Sequence, residues 1–343
     1  MDYDVIGDIH GHADALEALL SDLGYRKSGR VWRHRERQAL FVGDFIDRGP
    51  KQRETVELVR RMIDAGSARA VMGNHEFNAI AWFLPDPGCP GEYLRKHFSA
   101  RDGDKNRRQH RAFLAEVEGT PRHAEFVEWF LSLPVFLDLP GLRVIHACWH
   151  PAALDYLRPY LTADNRVRPE SMIPASRGPE SDAEKDGPEL TVFKAFEAVL
   201  KGIEIPLPAP HTFRDEEGRA RRRVRVRWWD REATDYRRAA MLPDEERAKL
   251  PGHPVPSHVL IGHDGGKPVF VGHYWLTGEP ILLSDKIACV DFSVANGGRL
   301  AAYRWDGEQT LDARRLVGRH RGQNRGEKTE KTEDRSAWAL RAE

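Results

Sequence analysis

The sequence predicts an α/β fold that begins with a parallel sheet. Three short apolar runs, at 3–6, 39–42 and 68–72, each end at a glycine. Two stretches with apolar residues at helical spacing, 13–23 and 54–65, separate these runs. Alternating strands and helices are typical of βαβα units, whose ligand-binding residues lie at the carboxyl ends of the strands.

The composition is that of a soluble globular chain. The 343 residues are 40% hydrophobic and 31% charged, and 53 Lys and Arg balance 53 Asp and Glu. Because the formal net charge is zero, no field of the whole chain attracts nucleic acid or anionic lipid. No stretch approaches the ~18 consecutive apolar residues of a membrane span. A charged ligand must therefore be bound by a local patch.

The cysteines and the N-terminus both predict a cytoplasmic location. Cys89, Cys148 and Cys289 lie far apart and form neither a disulfide framework nor a paired zinc motif. The N-terminus enters the first predicted strand directly, without the basic and apolar regions of a signal peptide.

Two insertions are expected to interrupt a single domain spanning residues 1–316. The first, at about 77–125, is rich in aromatic and charged residues and predicts a lid or helical cap. The second, at about 150–256, is polar and contains an arginine-rich run whose alternation of Arg with Val224 and Val226 predicts a strand with one charged face. The segment 317–343 has mixed charge and few apolar residues, which predicts a disordered tail.

The core elements resume between and after the insertions. A short helix is predicted at 126–133, followed by a pair of strands at 135–138 and 142–146 around a Pro-Gly turn. Further strands are predicted at 259–262, 269–272, 287–292 and 300–305.

The first three strand ends carry polar side chains. The segments are Gly7-Asp8-Ile9-His10-Gly11, Gly43-Asp44-Phe45-Ile46-Asp47-Arg48-Gly49 and Gly73-Asn74-His75-Glu76. A single Asp or Asn after a strand is often only a turn former or a helix cap. Carboxylates, imidazoles and an amide oxygen at adjacent strand ends are together the mixed ligands that borderline divalent metals accept, and the lack of nearby thiolates argues against structural zinc.

The spacing indicates how these ligands divide. Asp8 and His10 lie two residues apart at one strand exit and are able to hold one ion. Asp44 follows the neighbouring strand and is able to bridge two. A bridging carboxylate implies two metals roughly 3.5 to 4 Å apart, as in enzymes that catalyse in-line displacement at phosphorus. The second ion then needs Asn74 and imidazoles from later in the chain.

Two later histidines repeat the pattern of a strand that ends in a polar residue. His146 follows the run 142–145, and His273 follows 269–272. His150 and His263 are the alternatives, and His273 is preferred to His263 because Gly272 and the following Tyr-Trp pair give it a tighter strand-end setting. The other histidines singled out are interpreted as ordinary core or surface residues: His34, His97, His110, His123, His211 and His253.

The motifs GDIHG, GDFIDRG and GNHE resemble, in order and spacing, the three N-terminal blocks of the phosphoprotein-phosphatase branch of the calcineurin-like metallophosphoesterases, in their bacterial type. The Asp-Arg-Gly of the second block distinguishes this branch. The resemblance covers 1–80 closely, and 130–150 and 255–306 loosely. It implies a four-layer fold in which two mixed β-sheets pack face to face between outer helices, here with a helical cap insertion.

The resemblance also implies roles for individual residues. The implied ligands are Asp8 and His10 for the first metal, Asp44 as the bridge, and Asn74, His146 and His273 for the second. His75 would be the general acid, Asp47 its orienting partner, and Arg48 a phosphate ligand. The cofactor would be two divalent ions, Mn²⁺ by preference, with Fe or Zn²⁺ as alternatives.

The chain departs from the family pattern at two places. The fourth block usually reads His-Gly-Gly, whereas His146 is followed here by Ala-Cys-Trp. A second phosphate-binding arginine is expected from the middle of the chain. Arg227 is chosen for this role, with Arg214 and Arg223 as competitors.

Three functions compete on the sequence. The first is hydrolysis of phosphomonoesters, including phosphoserine or phosphothreonine in proteins, and the alternative is hydrolysis of dinucleoside polyphosphates. The alternative is favoured if arginines of the second insertion bind extra phosphates and aromatic rings of the cap stack on a base. These rings are Trp82, Phe83, Tyr93 and Phe98. The rings would not support the alternative if they only form the cap's own core. The third function, a non-catalytic nucleic-acid-binding protein, is disfavoured by the zero net charge and the complete ligand set. The expected partner is a phosphorylated small molecule, nucleotide or phosphoprotein, with no membrane.

Overall fold

The computed structural model describes residues 1–100, 102–214 and 220–320. The helices in this part of the chain are α1 (Ala13–Asp22), α2 (Gln52–Asp64), α3 (Asn74–Phe83), α4 (Gly103–Gln109), α5 (Arg111–Val117), α6 (Pro121–Leu131), α7 (Pro151–Leu157), α8 (Met172–Ser176), α9 (Asp182–Asp186), α10 (Val192–Lys201), α11 (Tyr236–Ala239) and α12 (Asp244–Lys249). The strands are β1 (Asp2–Ile6), β2 (Arg26–Ser28), β3 (Val31–Arg33), β4 (Arg37–Phe41), β5 (Ala68–Ala70), β6 (Phe136–Asp138), β7 (Arg143–Ile145), β8 (Glu204–Pro206), β9 (Phe213–Arg214), β10 (Ala220–Arg221), β11 (Arg223–Arg225), β12 (Val269–Val271), β13 (Ile287–Cys289), β14 (Asp291–Phe292), β15 (Arg299–Trp305) and β16 (Leu316–His320).

The first sheet brings the three N-terminal motifs to one edge. Its strand order is β14-β15-β1-β4-β5, with β16 paired to β15. β1, β4 and β5 are parallel, while β15 runs antiparallel to β1. Ile6 is in register with Phe41, and Phe41 with Ala70, so the three parallel strands end side by side. The polar residues that follow each strand therefore meet.

The second sheet carries the two later histidines. Its order is β13-β12-β7-β6, with β12 parallel to both β13 and β7, and β6 antiparallel to β7. His146 is the first residue after β7, and His273 is the second after β12. Because β7 and β12 are parallel neighbours, both histidines lie at the same end of this sheet.

Alternation along the strands produces four layers. Val5 faces a core that it shares with Phe270 of the second sheet, whereas its neighbour Ile6 faces a core that it shares with Leu16 of α1. Full burial of such a side chain contributes about 1.5 to 3 kcal/mol. The two sheets thus pack face to face and present their other faces to helices, which confirms the four-layer arrangement of mixed sheets.

The insertions differ in construction. The first is helical, built from α4, α5 and the end of α3, as expected for a cap. The second contains helices and short strands, and residues between Ile205 and Val259 form a small core of their own. Within it, Val224 of β11 is buried and the flanking Arg223 and Arg225 point to the other face, as the alternation predicts.

Three sequence predictions differ from the structure. The strand predicted at 287–292 forms two strands, β13 and β14, which belong to different sheets. The strand predicted at 259–262 is absent, because 257–259 forms a turn of 3-10 helix and Gly262 has a φ of +70°. The tail predicted from 317 begins instead within β16, which pairs with β15 and whose Leu316 and Val317 pack against the core. Residues 321–343 of the predicted tail, and Arg219 of the arginine-rich run, lie outside the described residues.

Two further expectations concern membranes and cysteines. Within the described ranges, no helix combines the length and apolar character that crossing a bilayer requires. All three cysteines are free thiols; Cys148 and Cys289 are buried and Cys89 is exposed.

Candidate metal and phosphate site

Two glycines allow the second and third motifs to approach each other. Gly43 has a φ of +100°, and a Cβ atom added there would lie 2.4 Å from the backbone nitrogen of Gly73. A Cβ added to Gly73 would lie 2.2 Å from Oδ1 of Asp44. Both distances are below any real contact, so only glycine at these positions lets Asp44 lie against the start of α3.

Left-handed backbone conformations concentrate in the same loops. Eight non-glycine residues of the described chain have positive φ, and six of them follow the strand ends: His10, Asp44, Asp47, Arg48, His273 and Trp275. Such conformations are uncommon and cost free energy, and they persist where the surrounding structure imposes them, often at functional sites.

Asp44 lies between two groups of imidazoles. Its Oδ2 is 3.3 Å from Nε2 of His146 and 3.8 Å from Nε2 of His10, and its Oδ1 accepts the backbone N–H of His75 at 2.9 Å. Three sets of buried side chains offer ligand atoms within 4.8 Å of one another, and one of them consists of Asp47, His75 and His110. The two sets at Asp44 are His10, Asp44 and His75, and Asp44, His146 and His273. Asp44 belongs to both sets, which is the position of a bridging carboxylate.

Asn74 completes the second set. Its Oδ1 lies 3.0 Å from Nε2 of His146 and 2.8 Å from Nδ1 of His273. One amide oxygen and two imidazole nitrogens thus converge beside Asp44.

The hydrogen bonds of two proposed ligands direct one nitrogen of each ring toward the site. Nδ1 of His10 lies 2.8 Å from the carbonyl of Ile46, and Nδ1 of His146 lies 2.7 Å from that of Val42. Since a carbonyl only accepts, each Nδ1 carries a hydrogen and each Nε2 is the nitrogen that faces the site, as in metal-binding histidines. Burial lowers the pKa of His146, but Asp44 outweighs it and raises this pKa, so a cation at its Nε2 would take the place of a proton. Nε2 of His10 is buried without a hydrogen-bond partner among the described residues.

The charges of the site also fit cations. Oδ2 of Asp8 accepts the backbone N–H of His273 at 3.0 Å, while its Oδ1 is buried without a hydrogen bond. Burial raises the pKa of Asp8 well above its usual range, and the neighbouring carboxylates of Asp291 and Asp44 raise it further. Burial lowers the pKa of His10 and His273, which keeps both imidazoles neutral. Crowded carboxylates and neutral imidazoles form a donor set that fits two divalent ions.

His75 and Asp47 form a buried pair next to this set. Nδ1 of His75 lies 2.5 Å from Oδ2 of Asp47. Burial favours the neutral acid, but the imidazoles of His110 and His75 outweigh it and hold the pKa of Asp47 well below its usual range. Asp47 is therefore an ionised acceptor.

Arg48 lies over an aromatic ring. Its guanidinium carbon is 3.4 Å from the ring centre of Trp275, a close cation–π contact. The backbone N–H of Trp275 donates to Asp291 at 2.8 Å, which fixes the loop that carries the ring. Burial lowers the pKa of Arg48 to about 10, so the group remains a cation at neutral pH.

Glu76 has a structural role that the sequence did not indicate. Its carboxylate accepts three backbone N–H groups, from Asp44 and Phe45 at 2.8 Å and from Gly73 at 3.0 Å. Glu76 thereby ties the second motif to the third. Its place in the third motif was the only available signal.

His110 lies beside the second motif. As interpreted from the sequence, it is a buried core histidine, and its Nδ1 lies 2.8 Å from Oδ2 of Asp47. The residue comes from the cap, at the junction of α4 and α5, and is fully buried. It follows no strand, so the pattern that identified the other histidines does not apply to it.

The two alternative histidines lie in local structures instead. Nδ1 of His150 accepts from the backbone N–H of Ala153 and caps α7. Nδ1 of His263 accepts from the backbone N–H of Gly265 in a turn. Neither joins the two ligand sets.

Arg225 and Arg227 have different surroundings. The guanidinium of Arg227 lies 6.0 Å from the ring of Trp229, in a surface groove with Arg247 and Asp244. After burial, the positive charge of Arg225 is the largest influence that lowers the pKa of His273. Arg225 makes no side-chain hydrogen bond within the described residues, and its Nε is buried.

The competitors of Arg227 have other placements. Arg223 donates to Asp186 at 2.6 Å. Arg214 is exposed in β9.

The cap aromatics mainly pack on one another. His97 stacks between Trp82, with ring centres 3.5 Å apart, and Tyr93, at 3.9 Å. Phe83 packs edge-on against His123, while Phe98 is 75% exposed. Trp82 and Phe83 pack into the core that also contains Ile6 of β1, and Tyr93 is partly buried.

Comparison with known proteins finds similarity in the first 160 residues of the chain. Residues 1–160 match the family model described as calcineurin-like phosphoesterase. The asymmetrical bis(5'-nucleosyl)-tetraphosphatase PrpE of Oceanobacillus iheyensis is 31% identical over 148 residues, which are 43% of this chain and 55% of that protein. The protein of the same name from Halalkalibacterium halodurans is 42% identical over 146 residues, 42% of this chain and 55% of that protein.

The chain thus spans about half the length of the curated relatives it matches. Among solved structures, a cold-active protein-tyrosine phosphatase of a Shewanella species aligns over 92% of this chain and 80% of its own, with 16% identity and a TM-score of 0.45. The family model ends beyond His146 and includes all three N-terminal motifs. The match covers residues 1–160, less than half of the chain, and is to the family that its motifs resemble.

Proposed function

We propose that this protein is a metal-dependent hydrolase of dinucleoside polyphosphates. The observation that carries the proposal is that the part of the chain with the metal-ligand motifs matches proteins named bis(5'-nucleosyl)-tetraphosphatases at 31% to 42% identity. This favours the alternative over hydrolysis of phosphomonoesters, the first interpretation of the sequence. The complete ligand sets argue against the non-catalytic nucleic-acid-binding alternative.

The cofactor in this proposal is a pair of divalent ions. The proposed ligands are Asp8 and His10 for one ion, Asp44 for both, and Asn74, His146 and His273 for the other. When bound, such ions supply a water of lowered pKa and neutralise charge on the phosphate. Mn²⁺ is the proposed metal because it suits mixed nitrogen and oxygen ligands, with Fe and Zn²⁺ as alternatives. The cytoplasm is the proposed location.

His75 is proposed as the general acid. Its Nδ1–H donates to Asp47, which fixes the ring and directs Nε2 toward the ligand sets. Nε2 lies 3.9 Å from Oδ2 of Asp44, next to the place where a phosphoryl group would bind. A proton on Nε2 would be donated to the leaving oxygen, and the carboxylate of Asp47 would stabilise the imidazolium before that transfer.

Arg48 and Arg225 are proposed to hold phosphate oxygens. The ring of Trp275 fixes the guanidinium plane of Arg48, and a planar fork of donors matches phosphate geometry. After burial, the charge of Arg225 contributes most to lowering the pKa of His273, which supports its inclusion. His110 comes from the first insertion and Arg225 from the second. Because both insertions thus supply residues to the proposed site, we propose that residues 1–316 form one domain.

The test is a comparison of two substrates with the Mn²⁺-loaded protein. Turnover of diadenosine tetraphosphate should exceed turnover of a phosphoserine peptide, as measured by kcat/KM. An Asp44→Asn variant should lose activity on both. A clear preference for the peptide would refute the proposed substrate and support the phosphomonoester function. Absence of any hydrolysis, including that of p-nitrophenyl phosphate, would refute the enzymatic function itself.

A further inference from the structure

Two histidines share one oxygen of Asp47. Nδ1 of His75 lies 2.5 Å from Oδ2, and Nδ1 of His110 lies 2.8 Å from the same atom. The side chains of all three residues are at most 1% exposed. His75 belongs to the third motif, whereas His110 lies in the cap, 63 residues from Asp47 along the chain.

The direction of both hydrogen bonds follows from the acceptor. An ionised carboxylate only accepts, so each Nδ1 must carry a hydrogen and donate it to Oδ2. The other oxygen of Asp47, Oδ1, has no hydrogen-bond partner among the described residues. Within the described chain, the hydrogen bonds that hold this carboxylate come from the two imidazoles.

His110 is itself held in place by the cap. Its carbonyl accepts the N–H of Leu114, and its ring lies 6.2 Å from that of Trp82. The preceding residue, Gln109, accepts a hydrogen bond from the guanidinium of Arg95. Burial lowers the pKa of His110 and outweighs the attraction of Asp47, so this imidazole is a neutral, fixed donor.

We propose that His110 is a positioning residue that orients Asp47 and, through it, the ring of His75. The inference rests on the proposed function, since it assumes that His75 protonates the leaving oxygen. With His110 present, Oδ2 is held by two donors from different segments. Without His110, the carboxylate of Asp47 accepts only the hydrogen bond from His75 and is free to rotate. The ring of His75 would then no longer be held with Nε2 directed at the leaving oxygen.

The expected effect is on the chemical step. Loss of a hydrogen-bonding partner behind a ligand or catalytic group typically costs about 10- to 100-fold in activity, and a displacement near 1 Å about 10²-fold. We expect kcat to fall by this amount for a poor leaving group, with KM and metal content unchanged. A good leaving group needs little protonation, so its kcat should change by less than about 3-fold.

The test compares two substitutions of His110 that both introduce a side-chain amide but place its nitrogen at different distances from Asp47. In His110→Asn, the amide nitrogen occupies the place of Nδ1 and can donate to Asp47. In His110→Gln, the amide lies one bond farther out and cannot make the same bond. Steady-state kinetics with phenyl phosphate and p-nitrophenyl phosphate then supply poor and good leaving groups. His123→Leu, a buried cap histidine that does not contact Asp47, controls for damage to the cap.

The proposal expects His110→Asn to stay within about 3-fold of the parent on phenyl phosphate, while His110→Gln loses about 10- to 100-fold there and little on p-nitrophenyl phosphate. Equal losses on both substrates, or equal behaviour of the two variants, would overturn it. His75→Asn in the same assay separates the two proposals. If that variant shows no dependence on the leaving group, the proposed acid is wrong; if it does and His110→Gln does not, only the role of His110 is wrong.

Discussion

Replacing Arg225 by Gln should weaken the binding of phosphate without disturbing the fold. The guanidinium makes no side-chain hydrogen bond within the described residues, and its charge acts on His273. Its removal therefore breaks no side-chain hydrogen bond among the described residues of the free protein. The effect should appear only when a phosphorylated substrate or product is bound.

The size of the effect follows from the bond that is lost. A hydrogen bond to a charged group contributes about 1.5 to 3 kcal/mol, and each 1.4 kcal/mol is about tenfold in a binding constant. We therefore expect Arg225→Gln to lower kcat/KM by about 10- to 150-fold and to weaken inhibition by inorganic phosphate in the same range.

Two neighbouring arginines supply matched controls for this substitution. Arg227→Gln removes the same charge two residues away, from a guanidinium that lies over Trp229. Arg223→Gln removes a guanidinium already engaged by Asp186. Kinetics and phosphate inhibition should change by less than about 3-fold in both, since surface substitutions are typically within about 0.5 kcal/mol. A larger loss in Arg227→Gln than in Arg225→Gln would refute the assignment and restore the choice made from the sequence.

Three further outcomes are expected. His75→Asn should lower kcat for poor leaving groups by about 10² to 10⁴ while keeping the metal content of the parent in elemental analysis; loss of metal would identify His75 as a ligand. Asp44→Asn should reduce the content of both ions, because its carboxylate belongs to both ligand sets, and loss of only one ion would exclude a bridge. Gly43→Ala should lower the free energy of urea unfolding in EDTA by at least about 1 to 3 kcal/mol, since its Cβ would meet Gly73 at 2.4 Å. Gly29→Ala is the control, because Gly29 also has a positive φ but has open space around its Cβ position. Equal losses of unfolding free energy in the two variants would contradict a steric clash at Gly43.

The convergence of the proposed metal ligands could be predicted from the sequence because each lies within a few residues of a strand end. Ile6, Phe41 and Ala70 are aligned by parallel pairing. A polar residue two to four positions after each of these strand ends therefore lies at the same edge of the sheet, independently of how the insertions fold. The same logic places His146, the first residue after β7, and His273, the second residue after β12.

The residues from the insertions could not be predicted in this way. Whether Arg225 or Arg227 faces the ligands depends on where β11 ends and on how its small core packs, and the local alternation of charges does not decide this. His110 lies between two short helices, and only the folding of the cap onto the second motif brings it to Asp47. β16 could not be foreseen because its partner, β15, determines that it forms.

The central claim is a pair of metal ions that share Asp44, and anomalous diffraction from crystals of the Mn²⁺-loaded protein tests it most directly. We expect two peaks roughly 3.5 to 4 Å apart, on either side of the Asp44 carboxylate, one beside His10 and the other beside Asn74. A single peak, or a peak within the group formed by Asp47, His75 and His110, would contradict the claim.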